Sequence, residues 1–320
     1  MRRSLINIVP VSLQKIFGLK PLLVKATTLV LIFSGFQAAQ SQSSSGKMEI
    51  YGVAFLRSMY NDINYNDAKA ALKVYIDELQ NRLITGYKMK PVMFDDVEDL
   101  LKNFSKENLA DVTLNPVDFL KYKSKLSLYP VLVSSGYKSP FENYLILVRK
   151  DGGVKTINGL AGKKFGIMQT GENSIPIMWL DVELNKKKIL FRDNKKFFER
   201  ITFGKSESQL ILSLFFKQID VCLVSNTAFE TMIELNPQIK DQLTILAASP
   251  GYITEVSSFT KKFKSSKYST DLFNTLLKLD NYTAGKQLFA LSKTAKIIPY
   301  KEEYMTSIKE LISEYEKLKN

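Results

Sequence analysis

From residue 48 onward, apolar and polar positions alternate in blocks whose periods predict strands and helices in turn. Residues 48–55 (MEIYGVAF) form an apolar run of strand length, and the polar stretch 57–66 reads as a loop. Leu72, Tyr75, Ile76, Leu79 and Leu83 then recur at helical spacing, with Asn66 or Asp67 as the N-cap and Gly86 as the terminator. Residues 90–94 (KPVMF) predict a strand, 97–104 (VEDLLKNF) a short helix and 111–114 (DVTL) another strand. Pro116 stands at the favoured first position of the helix PVDFLKYK. Two more strands are expected at 128–134 and 144–149. The second, YLILVR, is nearly all apolar, as in strands covered on both faces.

The alternation resumes after Asp151. A short helix or turn at 156–161 precedes a strand at 164–168 (KFGIM), a polar loop at 169–174 (QTGENS) and a helix at 175–184 with Pro176 in its first turn. A strand at 201–203 and a turn at 204–206 lead into a helix at 207–216 carrying Leu210, Leu212, Leu214 and Phe215. Next come a strand at 221–224, a helix at 227–235, and strands at 243–247 and 255–260. From Tyr268 the tail reads as helical, with Tyr304, Ile308, Leu311, Ile312 and Tyr315 on one face. This order predicts an α/β fold with largely parallel sheets. No repeat of 20–50 residues is present.

The first 46 residues change the picture. They hold no acid, carry Arg2, Arg3, Lys15, Lys20 and Lys25, and contain the apolar run ATTLVLIFSGF before QAAQSQSSSG. A basic start, a short apolar run and a small-residue exit predict a secretory signal peptide over residues 1–41. Cleavage is expected after Ala39-Gln40-Ser41, with Ala38 or Gln40 as alternative last residues. The run is about half the ~20 residues that span a bilayer, which favours cleavage over anchoring. No Cys lies near the exit to carry a lipid.

Composition then removes most chemistry. The 320 residues suffice for roughly two domains. There is no histidine, which excludes His-dependent triads and His-ligated zinc. The one cysteine, Cys222, excludes internal disulfides and Cys-cluster metal sites, and its setting, IDVCLV, predicts a buried packing residue. Removing five basic residues with the signal peptide takes the formal charge from +13 to +8, a solvated lysine-rich surface rather than a nucleic-acid footprint. No nucleophile–base pair or phosphate loop stands out, so an enzyme is not expected.

Four segments carry a resemblance: ADVTLNPVDFL (110–120), GYKSPFENYLILVRKDGGVKTINGLAGKKFGI (136–167), TFGKSESQLILSLFFKQIDVCLV (202–224) and NPQIKDQLTILAASPGY (236–252). In order and spacing they resemble the phosphate/phosphite/phosphonate-binding family of ABC-transporter solute-binding proteins. The resemblance implies a two-lobed type II periplasmic binding fold, each lobe a mostly parallel sheet flanked by helices, with the ligand in the cleft between lobes. It places lobe one at 47–149 plus 252–320 and lobe two at 150–251, with crossings near Arg149 and Gly251. It implies a periplasmic monomer that binds a small phosphate- or phosphonate-like solute, needs no cofactor and delivers to a membrane ABC permease. A secreted sensor of the same fold, acting on a membrane receptor or sensor kinase, is the alternative.

The residues themselves indicate where a ligand would touch. In open α/β sheets, ligands collect beyond the carboxyl ends of strands, where helix N-termini favour anions. The loops that qualify hold Arg57 and Ser58, then Asn115, then Gln169, Thr170, Gly171, Glu172, Asn173 and Ser174, then Ser206 and Glu207, and finally Ser225 and Asn226. Tyr137 either stacks on a ligand or packs at the lobe junction. Ser and Asn after a strand serve equally as N-caps, and Arg57 as a solvated charge. Glu172 and Glu207 depart from the family's pattern, and two carboxylates facing a phosphonate would repel it. They fit better a ligand with a cationic or hydroxylated part.

Overall fold

In the computed structural model, the described residues are 48–57, 64–82, 86–168, 174–189, 197–291 and 294–319. The predicted signal peptide lies outside them. Lys47–Asn320 forms one compact unit containing two sheets.

The first sheet begins with β1 (Glu49–Leu56), α1 (Tyr65–Arg82) and β2 (Tyr87–Phe94), followed by α2 (Val97–Asn103), β3 (Leu109–Leu114), α3 (Pro116–Tyr122) and β4 (Leu128–Ser135). Helix α1 forms as its apolar spacing requires: Leu72, Tyr75, Ile76 and Leu79 are all buried. It starts earlier than the sequence suggests, because Asn64 does the capping through its carboxamide oxygen, 2.9 Å from the Asn66 amide. Pro116 opens α3 as expected.

The chain then builds a second sheet from β5 (Tyr144–Arg149), β6 (Lys164–Met168), α4 (Ile175–Asn185), β7 (Arg200–Gly204), α5 (Glu207–Phe215), β8 (Val221–Ser225), α6 (Asn226–Leu235), α7 (Gln238–Gln242) and β9 (Leu243–Ala248). It returns through β10 (Val256–Thr260), α8 (Lys261–Lys264), α9 (Ser269–Leu276), α10 (Thr283–Leu291), β11 (Lys296–Pro299) and α11 (Thr306–Lys317).

Strand order is β11-β4-β10-β3-β1-β2 in one sheet and β7-β6-β8-β5-β9 in the other. β1, β2 and β3 pair in parallel, as do β6, β7 and β8. β10 runs antiparallel between β3 and β4, and β5 runs antiparallel between β8 and β9. Most strands in each sheet thus share one direction, and the reversed interior strand is the one that enters from the other sheet.

Two expectations need correction. The resemblance puts the strand at 144–149 in the first lobe, but β5 lies inside the second sheet, so the first crossing falls at 136–143 rather than near Arg149. Its all-apolar run signals burial on both faces without saying in which sheet. The tail reads as wholly helical in the sequence, but β11 interrupts it. This short run, KIIP, pairs antiparallel along the edge of β4, where a terminal proline is tolerated.

Helices α1, α9 and α10 cover one face of the first sheet through Leu72, Ile76, Leu272 and Leu288. Helices α5 and α6 cover the second sheet through Leu210, Leu214 and Phe229. A further apolar cluster is continuous from Val112 and Phe119 near the first sheet to Ile146, Phe165 and Trp179 in the second. Ile308, Leu311 and Tyr315 of α11 belong to it, so the apolar face foreseen in the tail is buried.

Candidate functional site

Register fixes which edges face each other. β5 enters the second sheet with Tyr144 opposite Ser225, the last residue of β8. β10 enters the first sheet with Val256 opposite Leu114, the last residue of β3. Both crossings therefore join the carboxyl edges of the two sets of parallel strands. These are the edges where the loops after β1, β3, β6, β7 and β8 gather, and where open α/β sheets receive ligands.

The two crossings are tied together. Glu142 and Tyr252 exchange backbone hydrogen bonds of 2.8 and 2.9 Å. The Asn143 side chain donates to the Ser249 carbonyl at 2.8 Å, and the Tyr144 amide donates to Ser249 Oγ at 2.8 Å. Gly251 permits this approach: a Cβ there would sit 2.7 Å from that of Phe141.

On the second sheet's edge, Ser174, Ser206, Glu207, Ser225 and Asn226 all fall on the loops after three adjacent strands, β7, β6 and β8. Their side chains are largely engaged within the protein. Ser206 Oγ accepts the Gln209 amide and caps α5, while Gln209 in turn accepts the Lys205 amide. Ser225 Oγ accepts the Ala228 amide and caps α6. The Asn226 side chain donates to Glu230. Ser174 is the N-cap residue of α4, but does not cap it through its side chain.

Glu207 reaches across to β8. One carboxylate oxygen accepts the Ser225 amide at 2.6 Å and the other the Ser225 hydroxyl at 3.0 Å. Glu142, on the first crossing, accepts the Thr227 amide at 3.0 Å and also the Thr227 hydroxyl. The Asn226 amide donates to the Asn143 carbonyl at 2.8 Å. The first three amides of α6, those of Asn226, Thr227 and Ala228, are thus all satisfied internally. This helix N-terminus, which would otherwise attract an anion, is filled by the protein's own acceptors. Burial, with the nearby Glu207 charge adding to it, raises the Glu142 carboxyl against the lowering effect of its Thr227 bonds. Burial, and then the Glu207 and Glu142 charges, push the Tyr144 hydroxyl up.

On the first sheet's edge, Asn115 caps α3, accepting the Asp118 amide at 2.9 Å while donating to the Asp118 carboxylate at 2.6 Å. Arg57 is exposed, 3.7 Å from Asp95, and lies over the Tyr65 ring. Tyr137, on the first crossing, is 93% exposed. Ser58, Gln169, Thr170, Gly171, Glu172 and Asn173 lie outside the described residues. Cys222 is fully buried between strands and its thiol is pushed up by burial, as its apolar setting predicts.

Sequence reasoning missed Glu142, Asn143 and Ser249, which tie the crossings to the second sheet, and the acids Asp111 and Glu255 on the first. A signal existed for the last two: Asp111 interrupts the apolar run LADVTL, and Glu255 stands at the head of EVSSFT. Among the described residues, no cluster of three His, Cys, Asp or Glu could hold a metal, and no helix is long and apolar enough to cross a membrane.

Residues 61–304 match the family described as the phosphonate periplasmic substrate-binding protein of ABC transporters. No curated protein matches the sequence. Among solved structures, the fold is similar to XAC2383 from Xanthomonas citri bound to ATP, with a TM-score of 0.61 and 14% identity over 85% of this chain and 98% of that one. It is similar also to PhnD1 from Prochlorococcus marinus in complex with methylphosphonate, with a TM-score of 0.59 and 14% identity over 84% and 99%. A third is the binding-protein component of an ABC phosphonate transporter from Pseudomonas aeruginosa, with a TM-score of 0.57 and 12% identity over 84% and 87%.

Proposed function

The chain belongs to the phosphonate-binding family of periplasmic ABC-transporter substrate-binding proteins, and from that premise we propose that it captures a small phosphonate-like anion between the carboxyl edges of its two sheets. The observation that carries this reading is the pair of hydrogen-bonded crossings linking those edges, joined at Glu142 and Tyr252. They form a hinge about which residues 48–135 with 256–319 close on residues 144–248. The closed form is what the membrane permease recognises.

The anion is received by the N-termini of α4 and α5, not by that of α6, whose amides are already taken. Glu207 turns both carboxylate oxygens to Ser225 rather than offering them to a ligand. Candidate contacts are Arg57, Ser58, Asn115, Tyr137, Gln169, Thr170, Gly171, Glu172, Asn173, Ser174 and Ser206. The protein acts as a monomer, matures by loss of residues 1–41 and releases its ligand unchanged, as a binder and not an enzyme. Family membership favours delivery to a permease over signalling to a sensor kinase.

Calorimetric titration of the mature protein with methylphosphonate, inorganic phosphate and methanesulfonate tests this. One saturable site for methylphosphonate or phosphate, with the probe recovered chemically unchanged, is expected. Absence of binding by all three would overturn the reading.

A further inference from the structure

A cavity of about 60 Å³ lies against the first sheet, on the face covered by α1, α9 and α10. Its apolar wall includes Phe55, Tyr75, Leu276 and Phe289, and its polar wall is made by Asp111, Thr113, Ser134, Glu255 and Ser257. It occupies one sheet alone and contains none of the side chains proposed to receive the anion.

Its chemistry is one-sided. Asp111 is only 6% exposed, and its carboxylate accepts the Ser257 hydroxyl at 2.7 Å. Glu255 accepts the Ser134 hydroxyl at 2.6 Å. These two acids are the ionisable groups of the polar wall, and neither has an ion-pair partner among the described residues. Lysines and arginines are abundant in this chain, yet among the described residues none lines the cavity. Buried carboxylates are ordinarily paired with a cation, or neutralised by a proton when no cation is present. Burial favours the second outcome: it raises Glu255 and pushes Asp111 up to about 7, despite their hydroxyl donors. A cation entering the cavity would displace that proton.

Size and wall narrow the class. Liquid water occupies about 30 Å³ per molecule, so the space suits roughly two non-hydrogen atoms. An alkali ion would gain little from the apolar side, whereas an ammonium bearing a methyl group uses both. Its N–H donors meet two carboxylates and their hydroxyl partners, and its methyl faces the aromatic and leucine wall, where ring faces also attract a cation. We propose that this cavity is a binding site for a compact alkylammonium of the size of methylammonium, separate from the anion cleft.

The test uses methylammonium chloride alone, with no phosphonate, so that its result does not depend on the cleft. Thermal unfolding of the mature protein at pH 8 is compared in 50 mM methylammonium chloride and 50 mM sodium chloride. A rise in midpoint of about 2 °C or more is expected with methylammonium only, as for a site well over half saturated. The rise is expected to shrink at pH 5.5, where Asp111 holds its proton, and to vanish in Asp111→Asn and Glu255→Gln, either of which suffices if the other fails to fold. Equal midpoints in the two salts for the wild-type protein would overturn the proposal. So would a methylammonium effect undiminished in the folded variants, which would place the ion elsewhere.

Discussion

Glu207 takes two hydrogen bonds from Ser225, which makes it a brace between the loops after β7 and β8. Glu207→Ala would leave the Ser225 amide without its acceptor, at a cost of about 1–3 kcal/mol. Urea unfolding should show this as a lower midpoint at unchanged slope. Glu207→Gln keeps one acceptor and should lose less. Asp111 adds a pH dependence of defined sign. Its folded pKa is raised from the ordinary 3.8 to about 7, so the native state holds that proton more tightly than the unfolded chain. The resulting stability is full below about pH 4 and is lost as pH rises toward 7, each tenfold gain in proton affinity being worth about 1.4 kcal/mol. Glu255, the other carboxyl facing the same cavity, is raised too and acts in the same sense. Subtracting the curve of Asp111→Asn from that of the wild type should isolate a contribution falling across pH 4–7, and a flat difference would contradict it. The sequence revealed the position of Glu207 but not the direction of its carboxylate, which depends on the side-by-side packing of β7, β6 and β8. Asp111 and Glu255 stood out in the sequence as acids in or beside strands, but nothing local says which face of a sheet an acid meets.

The elements that tie the two sheets together are the two crossings. Segments 136–143 and 249–255 approach so closely that Gly251 touches Phe141. Gly251→Ala should destabilise the protein by about 1–3 kcal/mol, the usual cost of overpacking. Adding Phe141→Ala should return part of it, a coupling that a double-mutant cycle in urea measures directly. If the two changes simply add, the crossings do not press on each other as described. Apolar periodicity located most of these elements well: KFGIM, YLILVR and the tail's Ile308–Leu311–Tyr315 face all lie where the pattern puts them. Pairing was harder to read. β5 is preceded by first-sheet strands but pairs with β8 and β9, which come more than 70 residues later. β11 is four residues long and takes its order from β4 rather than from its own propensity.

At the scale of the molecule, the two sheets are proposed to close on an anion about a paired hinge. Helix α11 shares one apolar cluster with parts of both sheets, so the proposed closure would have to keep that helix in contact. The order of the four resembling segments made the two-lobed fold legible, since type II binding proteins wind their chains this way. It could not supply the ligand-facing geometry, because the amides of α6 are filled by residues as distant in sequence as Glu142. Closure on an anion would show as a change in the distance between the lobes. Cys222 is buried and would be changed to alanine, so that spin labels sit only at Asp95→Cys and Phe203→Cys, both exposed, one beside the carboxyl edge of each sheet. Electron–electron resonance should show the label distance shortening by more than about 2 Å when saturating methylphosphonate is added, the scale of a genuine domain rearrangement. A distance distribution unchanged by methylphosphonate, in protein that calorimetry shows to have bound it, would contradict the account.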